Sequence, residues 1–208
     1  MNAIRWIGVV LLVASVPLAL WLPLWTSFEN GPVETSQALL LLVGAGLSLR
    51  YARVPTQDAR GGWFWLAAVP FWIGLALREL SWGAVFLAPQ SIGEHGPQFS
   101  SHVLWYKPFV APVMMALLVL AVVSFLYGRG IRRIGQLIAH KAFPFGDFGL
   151  FILAMLVSSA AEGHVGSSLY GLPNGQVTEE IAEFAAYMFL FSAQCRIFAA
   201  LGRLSPRQ

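Results

Sequence analysis

The sequence predicts an all-α polytopic membrane protein with six transmembrane helices and both termini in the cytoplasm, and three observations carry that prediction. Apolar residues make up 57% of the chain and charged residues only 11%, with a mean hydropathy of +0.67, a balance that water-soluble domains do not have. The apolar residues come in long unbroken runs, and in hydrocarbon such runs must satisfy their own backbone as helices, since barrel strands alternate. Lysine and arginine fall almost wholly on one side once each run is counted as a crossing.

The first run, Ile7 to Trp25, is free of charge and long enough for a hydrocarbon core of about 30 Å. It exceeds the apolar heart of a cleavable signal, so a retained first helix over about 6–26 is expected. The second, Thr35 to Leu49, extends through Val33 and Tyr51 to a span of about 33–52, with Gly44, Ala45, Gly46 and Ser48 as a small face for close helix contact. A third span, about 62–88, runs from Trp63 to Ala88 with a kink expected at Pro70, and carries Arg78 and Glu79. Within it, Arg78-Glu79-Leu80-Ser81-Trp82-Gly83 has the look of a motif to which no activity attaches.

The fourth span, about 108–128, is uncharged. After it, Ile131, Ile134, Leu137 and Ile138 share one helical face while Arg132, Arg133, Gln136 and Lys141 tend to the other, the pattern of a short amphipathic helix on the inner membrane surface. The fifth span, about 146–165, meets Glu162, and the sixth, about 178–201, follows Thr178, which is placed to cap it with Glu179 and Glu180 in the first turn. All of this forms one transmembrane helical domain.

With the N-terminus inside, eleven of thirteen basic residues lie on the inner face, leaving Arg78 and Lys107 outside. An error of one in the span count would scatter them. Trp63 and Trp65 mark an inner boundary and Trp21, Trp25, Trp82 and Trp105 an outer one, while Trp72 alone lies mid-span. The expected location is a plasma membrane or a bacterial inner membrane. A net charge of +3 does not point to nucleic acid here, because the basic residues flank apolar runs where lipid head groups would meet them. Cys195 has no second thiol in the chain, which removes any intrachain disulfide framework. No Walker-type, dinucleotide-binding or nucleophile-elbow motif is present.

In that frame eight of ten carboxylates face outward, Asp58 and Asp147 being the inward pair, and His95, His102 and His164 are outward too. Glu79, Glu162 and Glu183 are the informative three. Glu162 stands only roughly 22 Å along a helix from Asp147, and Glu183 roughly 20 Å from Arg196, so neither helix crosses about 30 Å of hydrocarbon without submerging a charge. Buried charges in lipid pair, bind ions or line water, so convergence of the three in one outward-facing site is expected. Glu180, Glu183, Tyr187 and Gln194 continue it as a polar seam on the sixth helix, with Ser158 and Ser159 one turn before Glu162.

Two kinds of chemistry fit such a site. A divalent metal such as zinc or manganese would take oxygen and nitrogen donors from Glu79, Glu162, His164 and Glu183, with His95 and His102, beside Glu94, as additions. Without metal, clustered carboxylates serve as general acid and base, with Arg78 neutralising charge nearby. Either way the expected function is an enzyme acting on a lipid or lipid-linked substrate. The alternatives are cation- or proton-coupled transport, or a non-catalytic subunit or assembly factor whose seam meets a membrane-protein partner or a second copy. A purely structural staple, in which Arg78 satisfies the carboxylates, rivals all of them.

Overall fold

A computed structural model describes residues 2–54, 58, 60–93, 96–162 and 174–204. The described chain is predominantly helical: α1 (Asn2–Trp21), α2 (Pro32–Ala52), α3 (Gly61–Leu66), α4 (Ala68–Glu79), α5 (Lys107–Tyr127), α6 (Gly130–Ala139), α7 (Phe145–Glu162) and α8 (Gly175–Leu204). A two-stranded antiparallel hairpin, β1 (Ser91–Gly93) and β2 (Gly96–Gln98), pairs Ile92 with Pro97. Five helical stretches are long and apolar enough to cross a membrane: α1, α2 with the turn before it, α5, α7 and α8. The apolar stretch of the third expected span is divided between α3 and α4.

That division lies at Ala67, which keeps right-handed helical angles (φ −62°, ψ −31°) and bonds back to Trp63 and Trp65. Pro70 has no N–H to offer the Leu66 carbonyl and its ring crowds that position, so the helix tightens one turn ahead of the proline. The third span also ends sooner than the apolar pattern implies. Helix α4 stops at Glu79, and Ser81, Trp82 and Gly83 take positive φ angles of 43°, 59° and 93°. The Tyr106 hydroxyl donates to the Trp82 carbonyl at 2.7 Å and holds this left-handed turn. At the other end of the chain, Thr178 is not a cap: α8 begins a turn earlier, after the left-handed Asn174 (φ 59°).

The chain gathers into two compact units. Unit 1 comprises Met1–Gln37, Val85–Ser100 and Phe145–Gln194. Its core is small: Ala154 on α7 packs with Ala185, Ala186 and Phe189 on α8, under Val9, Leu11 and Leu12 of α1. Alanines at this contact let helix backbones approach, which is how helices associate when lipid removes the hydrophobic driving force between them. Gly8 belongs to the same device, since a Cβ there would stand 2.8 Å from the Phe189 ring. A second cluster of Ala19, Val177 and Ile181 closes the other end, where Asn174 and Gln176 amide groups donate to the Ala19 and Ser27 carbonyls at 3.0 and 2.9 Å.

Unit 2 comprises Ala38–Ala84, Ser101–Pro144 and Cys195–Gln208. Helix α5 packs against α3, α4 and α6 while exposing Met115, Leu118, Val119, Val123 and Leu126. A helix apolar on its exposed side as well as its packed side is a lipid-facing helix. The small face expected on α2 is used in part: Gly44 admits the buried Trp72 indole, whose nearest atom lies 2.7 Å from where a Cβ would stand, and Ser48 is buried, whereas Gly46 faces open space. Tyr51 stacks on Phe198 at 3.7 Å and meets Trp65 edge-on, with its hydroxyl 3.7 Å from Cys195 Sγ.

Candidate functional site

Helix α8 carries the polar groups of unit 1 because nearly every residue from Val177 to Gln194 is enclosed, leaving its polar side chains no water to face. Glu183 is 6% exposed and accepts a hydrogen bond from the Tyr187 hydroxyl at 2.8 Å, one helical turn along the same face. Tyr187 is itself buried. One turn toward the helix N-terminus, Glu180 receives the Gln37 amide nitrogen on both its carbonyl, at 2.8 Å, and its carboxylate, at 3.0 Å. Gln37 is fully enclosed, and its Oε1 meets no donor among the described residues. Two carboxylates one turn apart on a single enclosed helix face therefore each hold a neutral donor. The seam expected on α8 is present, with Glu183, Tyr187 and Gln194 all buried.

Further along, toward its C-terminus, α8 meets a second buried carboxylate of unit 1. Asp147, in the first turn of α7, is fully enclosed and accepts from the Ser192 hydroxyl at 2.8 Å. Asp147 opposite Ser192, and Ala154 among Ala185 and Ala186, set α7 and α8 antiparallel. The Arg5 guanidinium lies beside Gly146, 2.8 Å from where a Cβ would be. Sequence reasoning passed over Asp147 as an ordinary inward acid, and did not single out Gln37 or Ser192. An acid in a first helical turn is the commonest way to complement the helix dipole, so the residue alone gave no signal.

Glu162 is the last residue of α7 and is exposed. Glu79 is buried, but it belongs to unit 2 and closes α4, with Arg78 Nη1 3.8 Å from its Oε1 and the Arg78 side chain 60% exposed. His102 is exposed in a short turn of the same unit, Ser101–Val103. Glu94, His95 and His164 lie outside the described residues. Among the described residues, no three histidine, cysteine, aspartate or glutamate side chains come together as ligands of one metal ion would.

No family model, curated protein or solved structure matches this chain. The functional reading accordingly rests on the chemistry of α8 and its neighbours.

Unit 2 has its own charged centre at the far end of α5. Asp58 accepts the Arg60 backbone N–H at 3.0 Å and the Arg133 guanidinium at 2.9 Å, with Arg129 at 4.0 Å. These contacts hold its carboxyl below the ordinary aspartate range: the Arg60 N–H is the largest cause, and the Arg133 and Arg129 charges add to it. Arg133 Nε also donates to the Gly128 carbonyl at 3.0 Å, which places a cation on the open C-terminus of α5.

Proposed function

We propose that this chain is a six-crossing membrane protein, with α3 and α4 together forming the third crossing and both termini cytoplasmic, whose unit 1 performs acid/base chemistry on a lipid or lipid-linked substrate. The observation that carries this reading is the enclosed Glu183–Tyr187 pair, a carboxylate submerged in a membrane-length helix and oriented by a buried phenol. Ionisable groups at such depth are expensive, and where they persist they mark pathways or chemistry. Glu180, oriented by Gln37, stands one turn away as the second member of an acid/base pair, the arrangement by which one carboxyl gives a proton while the other takes one. Its outward position suits a substrate that enters from the non-cytoplasmic leaflet of a plasma or bacterial inner membrane.

The test is turnover of a total membrane-lipid extract by the purified chain, followed by mass spectrometry, for wild type, Glu183→Gln and Tyr187→Phe. Product formation should fall by about 100-fold or more in Glu183→Gln, the usual size of a general acid/base contribution, with helix content and melting temperature close to wild type. Wild-type preparations that convert no lipid, or a Glu183→Gln variant as active as wild type, end the proposal. Elemental analysis of the same samples separates the two chemistries: stoichiometric metal lost in both Glu162→Gln and Glu183→Gln would move the reading to a metal site in unit 1.

A second reading, cation or proton coupling, is favoured by one specific feature. The Gln37 Oε1 meets no donor among the described residues while the same amide's nitrogen holds the Glu180 carboxylate, so this pair offers enclosed oxygen acceptors, the donor type that alkali cations and hydronium seek. Ion flux into proteoliposomes that disappears in Gln37→Leu would favour it over lipid turnover.

A further inference from the structure

Three arginines, Arg60, Arg129 and Arg133, meet one aspartate where α3 and α6 adjoin α5 in unit 2, with Arg132 next in sequence on α6, and the charge there is far from balanced. Asp58 is consumed by Arg133 and by the Arg60 backbone, and Arg133 is consumed in turn between Asp58 and the Gly128 carbonyl. Arg129 is only loosely engaged, 4.0 Å from Asp58 with its side chain 45% exposed, and it caps the start of α6 in a left-handed conformation (φ 55°). Arg60 lays its guanidinium 5.0 Å above the Tyr127 ring, a contact that uses its face and leaves its N–H edge free to bond. Arg132 makes no hydrogen bond or ion pair among the described residues. Arg60, Arg129 and Arg132 are thus exposed cations beside a single committed carboxylate.

What lies beside them is apolar. Trp63 meets Tyr127 edge-on at 5.2 Å, both rings about half exposed, and Ile131 is 71% exposed next to Arg132. Val119, Val123 and Leu126 continue along α5 from Tyr127 at helical spacing, all more than half exposed. An aromatic pair between a cationic rim and an aliphatic wall reproduces the layering of a lipid: phosphate, glycerol boundary, acyl chain.

We propose that Arg60, Arg129 and Arg132, with Trp63 and Tyr127, form a binding site for the head group of an anionic phospholipid, whose chains lie along α5. The guanidiniums supply charge-assisted hydrogen bonds to the phosphate oxygens, and Asp58 with Arg133 fixes the turn that presents Arg60. A free anion would not use the aliphatic wall, which commits the site to lipid.

The experiment uses the full chain purified in neutral detergent, with native mass spectrometry of retained lipid and thermal unfolding after addition of phosphatidylglycerol or phosphatidylcholine. Wild type should retain and be stabilised by phosphatidylglycerol in preference to phosphatidylcholine. Arg132→Ala and Arg129→Ala should each lower that preference about fivefold, the effect of removing one basic side chain at a charged membrane surface, whereas Arg132→Lys should keep most of it. Because Arg132 has no polar partner to lose, Arg132→Ala reads the charge without disturbing the Asp58 turn. Equal retention of the two lipids by wild type, an unchanged preference in both alanine variants, or equal stabilisation by inorganic phosphate at matched ionic strength would overturn the proposal.

Discussion

Asp58 shows how one carboxylate organises its surroundings through neutral and charged donors together. Its folded-state pKa lies below the unfolded value of about 3.9. The stabilisation it supplies is therefore complete above that value and is lost as pH falls through the lower, folded pKa. Melting temperatures measured below about pH 4 should drop more steeply for wild type than for Asp58→Asn, and the two curves should run parallel near neutrality. Buried groups in unit 1 give a different outcome: Ser192→Ala removes the hydroxyl donor of Asp147 and should cost about 1 kcal/mol of stability in denaturant titration, the usual size of an interhelical hydrogen bond in a membrane protein. At this scale the sequence was half legible. Glu183 and Tyr187 were found because charge and spacing both flagged them, and Gln194 followed from the same periodicity. Asp147 and Gln37 were not, because what singles them out is a partner in a distant element, Ser192 or Glu180.

Among the elements, each apolar run is helical over most of its described length, because nothing else satisfies a backbone in hydrocarbon. The amphipathic segment after the fourth run forms α6, with Leu137 enclosed and Ile131 and Ile138 exposed. Ends were harder to read. The apolar composition from Leu80 to Ala88 gave no reason to stop α4 at Glu79, since a left-handed turn at Ser81 and Trp82 uses residues that rarely adopt it, so composition hides the break. Pro70 was read as a kink, and the break between α3 and α4 appears at Ala67, beside the Leu66 carbonyl that Pro70 leaves without its N–H donor. Pro70→Ala supplies an N–H for the Leu66 carbonyl and should join α3 to α4. Amides from Phe64 through Ile73 should then exchange more slowly than in wild type, and unchanged exchange would mean that packing and not the proline sets the break.

For the whole molecule, composition and the distribution of basic residues were enough to read the class, and an all-α chain with several membrane-length helices is what the fold contains. The distribution of carboxylates was less informative, since depth along a helix says nothing about which neighbours a side chain meets. Glu79, Glu162 and Glu183 have similar depths in the sequence frame but different surroundings: a helix end beside Arg78, an exposed terminus and an enclosed seam. The proposed topology has a direct check. In a Cys195→Ser background, Ser101→Cys should react with an impermeant thiol reagent added to intact cells, and Gln136→Cys only after the membrane is opened. Labelling of both from outside would discard the six-crossing arrangement.

The thirty residues of α8 carry a further consequence. At 1.5 Å per residue the helix is about 45 Å long, and fitting it wholly inside a core of about 30 Å would take an inclination of roughly 48° from the bilayer normal, steeper than the range of about 0–40° that membrane helices show. At least a turn of it must therefore stand clear of the acyl chains. A rod with length to spare can slide its ends through the interface as bilayers thicken or thin, so the protein should tolerate membranes of differing thickness with little strain.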